Sequence, residues 1–166
     1  MPFDLGAMFA IDNAILWRLL VAMILGMIIG VERLYAHKTA SMRTYALVSM
    51  GSALFAIISE LVANSFHTTF PEVNPLQIIA QIVTGIGFLG AGLIIYQKSR
   101  LTGITTASGI WVSAGIGIAS GLGFFGIAIA ATVLTLFIFT VLWFIEDRLK
   151  KMSFIAESDP EGDGEN

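Results

Sequence analysis

Residues 85–90 read Gly-Ile-Gly-Phe-Leu-Gly, the spacing with which a dinucleotide-binding loop holds a pyrophosphate at a helix N-terminus. That chemistry needs a strand before the first glycine and an acidic residue about 20 positions beyond the motif. Here the glycines lie inside an apolar run from Leu76 to Tyr96, and no Asp or Glu occurs between Glu72 and Glu146. The better reading is a membrane helix whose small residues let other helices approach closely.

Metal and catalytic chemistry fare no better. The chain has no cysteine, which removes thiolate ligands, disulfides and a thiol nucleophile. Glu32 and Glu60 fall at opposite ends of consecutive apolar runs, too far apart to share an ion, and no H-E-x-x-H or paired-histidine spacing occurs. His37 and His67 are expected on opposite sides, and no Ser/His/Asp set converges. We therefore expect no catalytic residue, no resident metal, no cofactor and no enzyme activity. A pI near 5.2 and the lack of a basic patch with interleaved aromatics argue against nucleic acid.

The elements that must position these residues are set by hydropathy. Of 166 residues, 56% are hydrophobic and only 13% charged, with a mean hydropathy of +0.84. A soluble domain carries about 25% charged residues. The pattern predicts an all-α integral membrane protein, a bundle of about five helices of about 20 residues each. The helices are expected near 14–31, 43–63, 76–96, 104–120 and 127–145, forming one membrane domain over residues 1–151. Strands of about 4–8 residues are too short for these runs. Residues 152–166 carry five acids and read as an acidic, disordered tail.

Basic residues orient the bundle. Arg33, Lys38 and Arg43 flank the first loop, Lys98 and Arg100 fill the third, and Arg148, Lys150 and Lys151 follow the last helix. The positive-inside rule places that side in the cytoplasm, with the N-terminus outside and the C-terminus inside. The ninth basic residue, Arg18, sits about one turn into the first helix. An Arg at the bilayer centre costs about 2.5–3.5 kcal/mol. Either it snorkels to the outer headgroups, or it pairs with Glu60, with Gln81 hydrogen-bonded into the same cluster; all three are expected near the outer helix ends. On the cytoplasmic side, Glu32 and Arg33 end helix 1 and Arg43 begins helix 2, so Glu32 can reach Arg43 across the short loop. Gly26 and Gly30 form a G-x-x-x-G, and Gly85, Gly87, Gly90 and Gly92 give the third helix small residues on two faces. These glycines are read as packing or pathway positions, and the third helix as the centre of the bundle. The last helix, rich in Leu, Ile, Phe and Val, is expected to face lipid.

Gly26-x3-Gly30-Val31-Glu32-Arg33, followed by His37-Lys38-x-Ala40-x-x-Arg43-Thr44 and Gly51-Ser52-Ala53-Leu54-Phe55, resembles the opening block of the MgtC/SapB (YhiD-like) membrane proteins. Asn74-Pro75 with Ala80–Gly92 is similar to the second block. Gly103-x-Thr105-Thr106-Ala107 with Trp111-x-x-Ala114 is similar to the third. Ala40-Ser41-Met42 stands where the family reads Ala-Gly-Leu, and Asn74 where Asp is common. On this reading the sequence runs only a short way past the fifth helix, and the soluble domain of longer members is not expected in it. The resemblance implies a multi-pass inner-membrane protein linked to magnesium homeostasis and, in pathogens, to virulence. Three classes follow: a regulator or assembly partner of other membrane proteins, including copies of itself; a carrier or channel for Mg²⁺ or another small solute; and, least supported, a nucleotide-using enzyme.

Overall fold

The computed structural model describes residues 12–66, 75–97 and 100–157. Helix α1, Asn13–Tyr35, is capped by Asp12, whose carboxylate accepts from the Ala14 amide at 3.0 Å; this satisfies one of the amides that a helix start leaves unpaired. A short loop, with His37 at φ 53, leads into α2, Met42–Phe66. Helix α3, Pro75–Leu93, is followed by a two-stranded antiparallel hairpin, β1 (Ile95–Gln97) and β2 (Arg100–Thr102), in which Tyr96 pairs with Leu101. Helix α4, Ile104–Gly121, starts after Gly103, whose φ of 90° glycine adopts without strain. A Cβ there would also stand 2.1 Å from the Leu93 carbonyl oxygen. Helix α5, Phe125–Phe137, runs through a π-helical turn, Ile138–Leu142, into α6, Trp143–Glu157.

Among the described residues, four stretches are long and apolar enough to cross a membrane: Asn13–Tyr35, Met42–Ser65, Leu76–Leu93 and Phe125–Lys151. Helix α4 is not among them, because it is built largely of Gly, Ala, Ser and Thr. The same composition puts it in the middle. It packs against α1, α2, α3 and α5, and its Ser113 and Ser120 are fully buried. Lipid offers no hydrophobic drive to squeeze helices together, so contact depends on how closely backbones approach. Two G-x-x-x-G pairs supply that approach, and both close on α2. A Cβ on Gly26 would stand 2.5 Å from the Tyr45 carbonyl oxygen, and one on Gly30 2.5 Å from Met42 Cα. From the other side, a Cβ on Gly117 would stand 2.0 Å from the Ser49 carbonyl oxygen, and one on Gly121 2.6 Å from that of Ala53. Hydroxyls tie the seams: Ser49 Oγ donates to the Ala22 carbonyl at 2.7 Å, and Ser113 Oγ to the Tyr45 carbonyl at 3.1 Å.

Several expectations are corrected. The centre of the bundle is α4 gripping α2, not α3, whose apolar window is only 6% buried against 33% for α2. Helix α3 ends at Leu93 rather than Tyr96 because the hairpin's strands begin at Ile95. The last helix does not stop near 145. It continues to Glu157, so helix covers the first part of the stretch read as a tail from 152. Residues 158–166, the rest of that stretch, lie outside the described residues, as do His67, Asn74 and Lys98.

Candidate functional site

Two polar clusters occupy opposite ends of α1, about 22 Å apart at 1.5 Å per residue between Arg18 and Arg33. At the first, Arg18 Nη1 donates to Glu60 Oε2 at 2.6 Å and to the Gly121 carbonyl at 3.1 Å. Three helices meet here: α1 brings the guanidinium, α2 the carboxylate, and α4 the last carbonyl of its final turn. That carbonyl has no intrahelical donor and sits at the negative end of the helix dipole. Arg18 thus answers a carboxylate and a helix C-terminus at once. Gly123, at a φ of 80° that favours glycine, forms the turn against which the guanidinium lies, a Cβ there standing at an ordinary 3.7 Å from Arg18 Nε. The two side chains are 27% and 36% exposed, and a cavity of about 240 Å³ lies beside them, lined by Ser59, Glu60, Asn64 and Phe124 among others.

Gln81 does not join this pair. It lies on the exposed side of α3, in an apolar groove of about 490 Å³ between α2 and α3, whose walls include Gly51, Phe55, Ile82 and Gly85. The α3 glycines divide in the same way. Gly90 is buried, with an added Cβ meeting Ala107 Cβ at an ordinary 3.7 Å, whereas Gly85, Gly87 and Gly92 look into open space. They are not packing residues within this chain.

At the other end, Glu32 does not reach Arg43. Its carboxylate accepts from Nε of its neighbour Arg33, and Arg43 is exposed. Arg33 is buried, with its guanidinium carbon 3.6 Å from the centroid of the Phe139 ring. A guanidinium over an aromatic face is an attractive arrangement that strengthens as water is excluded. The π-helical turn positions Phe139, and such turns often mark functional positions. Gly109 of α4 leaves the space: a Cβ there would be 2.6 Å from the Phe139 ring and 2.5 Å from the Tyr45 hydroxyl. Tyr45 donates to the Thr106 carbonyl at 3.3 Å. Thr106 is buried, while Thr105, Lys38 and Trp111 are exposed. Of the remaining motif residues, Asn74 is outside the described residues and Pro75 begins α3.

The small residues of α4, Gly109 and Gly117 among them, read in sequence as a helix built for close approach, and both make it; sequence reasoning missed Tyr45, Gly121 and Phe139. One signal was available: Gly117-x3-Gly121 repeats the spacing of Gly26-x3-Gly30. Nothing in a run of Phe, Thr, Val and Leu announces a π turn. Among the described residues, no three metal-ligating side chains gather.

Comparison with known proteins adds the lineage. The sequence profile of the MgtC family matches residues 19–148. MgtC of Salmonella typhimurium (strain LT2) is 43% identical over 141 residues, covering 85% of this chain and 58% of that protein. YhiD of Escherichia coli (strain K12), provisionally named a magnesium transporter, is 39% identical over 138 residues, covering 82% of this chain and 64% of its own. An uncharacterized protein of Haemophilus influenzae is 40% identical over 136 residues, covering 80% and 57%. The chain thus spans 57% to 64% of the length of these relatives. No solved structure matches. With a family match over residues 19–148 and helices long enough to span a bilayer, this chain is a membrane protein that belongs to the MgtC family.

Proposed function

We propose that the chain is a non-enzymatic inner-membrane protein that serves magnesium homeostasis by docking on other membrane proteins through α3. The observation that carries this reading is the set of open glycines on α3, Gly85 and Gly92 on one face and Gly87 on the other. Gly85, Gly87 and Gly92 have no neighbour within 4 Å of where a Cβ would stand, in a helix whose window is 6% buried. Within this chain the grip on α2 uses glycines at closest approach; on α3 three of the four glycines meet nothing. A transmembrane helix of a partner, or of a second copy, is the class of surface such faces accept. The magnesium link rests on the provisional name of YhiD. The basic residues of the short loops and of α6 support a cytoplasmic placement of that end, with the N-terminus outside.

Gly87→Leu tests this directly. A Cβ at this position has nothing within 4 Å inside the chain, so the melting temperature in detergent should hold. Association in nanodiscs, read by pull-down or energy transfer between labelled copies, should weaken about tenfold or more, equivalent to about 1.4 kcal/mol of lost packing. Unchanged association would remove the reading. Gly90→Leu is a poorer test, because it also presses on Ala107.

A carrier is the second reading, favoured by the part-exposed Arg18–Glu60 pair beside its cavity. It requires Mg²⁺ flux into liposomes that Glu60→Gln abolishes; sealed liposomes with no flux for Mg²⁺ or other small solutes retire it.

A further inference from the structure

We infer that the basic end of the bundle holds a binding site for a phosphate ester, built around the guanidinium of Arg33. The side chain of Arg33 is 4% exposed. A guanidinium has five N–H donors, and here only Nε is engaged, with Glu32, while the face of the group is covered by Phe139. Among the described residues no acceptor meets the Nη amino groups. Arg33 instead borders a cavity of about 480 Å³. A buried guanidinium with unengaged donors beside a cavity offers a fork to an oxyanion.

The rest of the wall fits that anion. Lys38 and Lys150 border the cavity, and Lys38 makes no ion pair among the described residues. Thr105, also on the wall, is the second residue of α4, so its hydroxyl stands at a helix start. First-turn amides lack intrahelical acceptors, and the positive end of the dipole lies there. Glu146 and Asp147 face the cavity too, but each is paired one turn on, with Lys150 at 2.5 Å and Lys151 at 2.8 Å. With Glu32 committed to Arg33, the excess charge is the ammonium of Lys38. A tetrahedral phosphate can accept from a fork, an ammonium and a helix start from different directions, where a planar carboxylate fills the fork alone. The volume exceeds that of a bare ion, and Ile138, Leu142 and Trp143 give apolar walls for an ester's organic part. A phospholipid headgroup and a soluble phosphate ester share this chemistry. The inference stands apart from the docking role of α3.

The test uses the full chain in detergent, titrated by calorimetry with phenyl phosphate, with short-chain phosphatidylglycerol below its micellar concentration, and with the matching uncharged diacylglycerol. Saturable binding of at least one phosphate probe, and none of the diacylglycerol, is expected. Arg33→Gln should weaken it about 10- to 100-fold and Lys38→Gln about 3- to 10-fold, the range for charged hydrogen bonds. Should Arg33→Gln fail to fold, Lys38→Gln and Thr105→Val, both at exposed positions, decide between them. Tighter binding of the lipid assigns the headgroup as the source, and tighter binding of phenyl phosphate assigns a soluble ester. No saturable binding of either phosphate probe, or binding that the folded variants leave unchanged, overturns the site.

Discussion

Gly117→Ala is expected to destabilise the protein by about 2–3 kcal/mol, although it adds a single methyl group. The new Cβ would sit 2.0 Å from the Ser49 carbonyl oxygen and 2.8 Å from its carbonyl carbon. Those atoms are backbone, so they cannot rotate aside as a side chain would. Helices α2 and α4 must separate, and α1 is drawn in because Ser49 Oγ also holds the Ala22 carbonyl. On propensity alone the change should help, since Ala is favoured over Gly in a helix by about 1 kcal/mol. Gly115 lies on the same helix with nothing within 4 Å of its would-be Cβ, so Gly115→Ala shows the propensity gain by itself. Equilibrium unfolding in detergent should therefore move the two variants in opposite directions. If Gly117→Ala proved as stable as Gly115→Ala, the close seam between α2 and α4 would be wrong.

Removing Glu60 carries the second large effect. Breaking a fully buried pair by deleting one partner costs about 3–5 kcal/mol, but this pair is part-exposed and solvent screens it. We expect Glu60→Ala to lose about 1–3 kcal/mol, because Arg18 keeps only the Gly121 carbonyl while its charge stays within an apolar helix. The double variant Arg18→Met, Glu60→Leu should recover most of that loss, since no lone charge remains. Exchanging the two residues should rescue less. The guanidinium would then leave the end of α4, and a carboxylate would approach the Gly121 carbonyl instead. A double-mutant cycle in the same unfolding assay reads the coupling; a coupling near zero would mean that both groups are solvated separately by headgroups.

The sequence was informative where one physical term dominates. Apolar run length fixed the existence of the helices, and the cost of Arg18 in lipid pointed to a carboxylate at matching depth. It was uninformative where several weak terms compete. The glycines of α3 and α4 look alike in sequence, yet only Gly117 and Gly121 of α4 meet the backbone of another helix. Which glycines meet α2 depends on rotations that no single hydropathy pattern encodes, so α3 looked like the centre of the bundle. Glu32 had two basic residues in reach, Arg33 and Arg43. Arg33 holds it, and Phe139, arriving from a distant segment, covers the same guanidinium. The hairpin after α3 was hidden because Ile95 and Tyr96 continue the apolar run that precedes them.

The turn at Ile138–Leu142 also acts as a phase setter. A π-helical turn carries one residue more than the α-helical turn it interrupts. Deleting that residue would straighten the rod and rotate everything after it by about 100° around the axis. Trp143, Glu146 and Lys150 would swing away from Arg33 together, with their spacing along the chain unchanged. A single insertion thus fixes the azimuth of a whole helix: the segment reads its angular position from one local defect, not from its own contacts. Among sequences of this family, a one-residue gap in this turn would therefore mark a chain whose last helix presents a different face to the rest of the bundle.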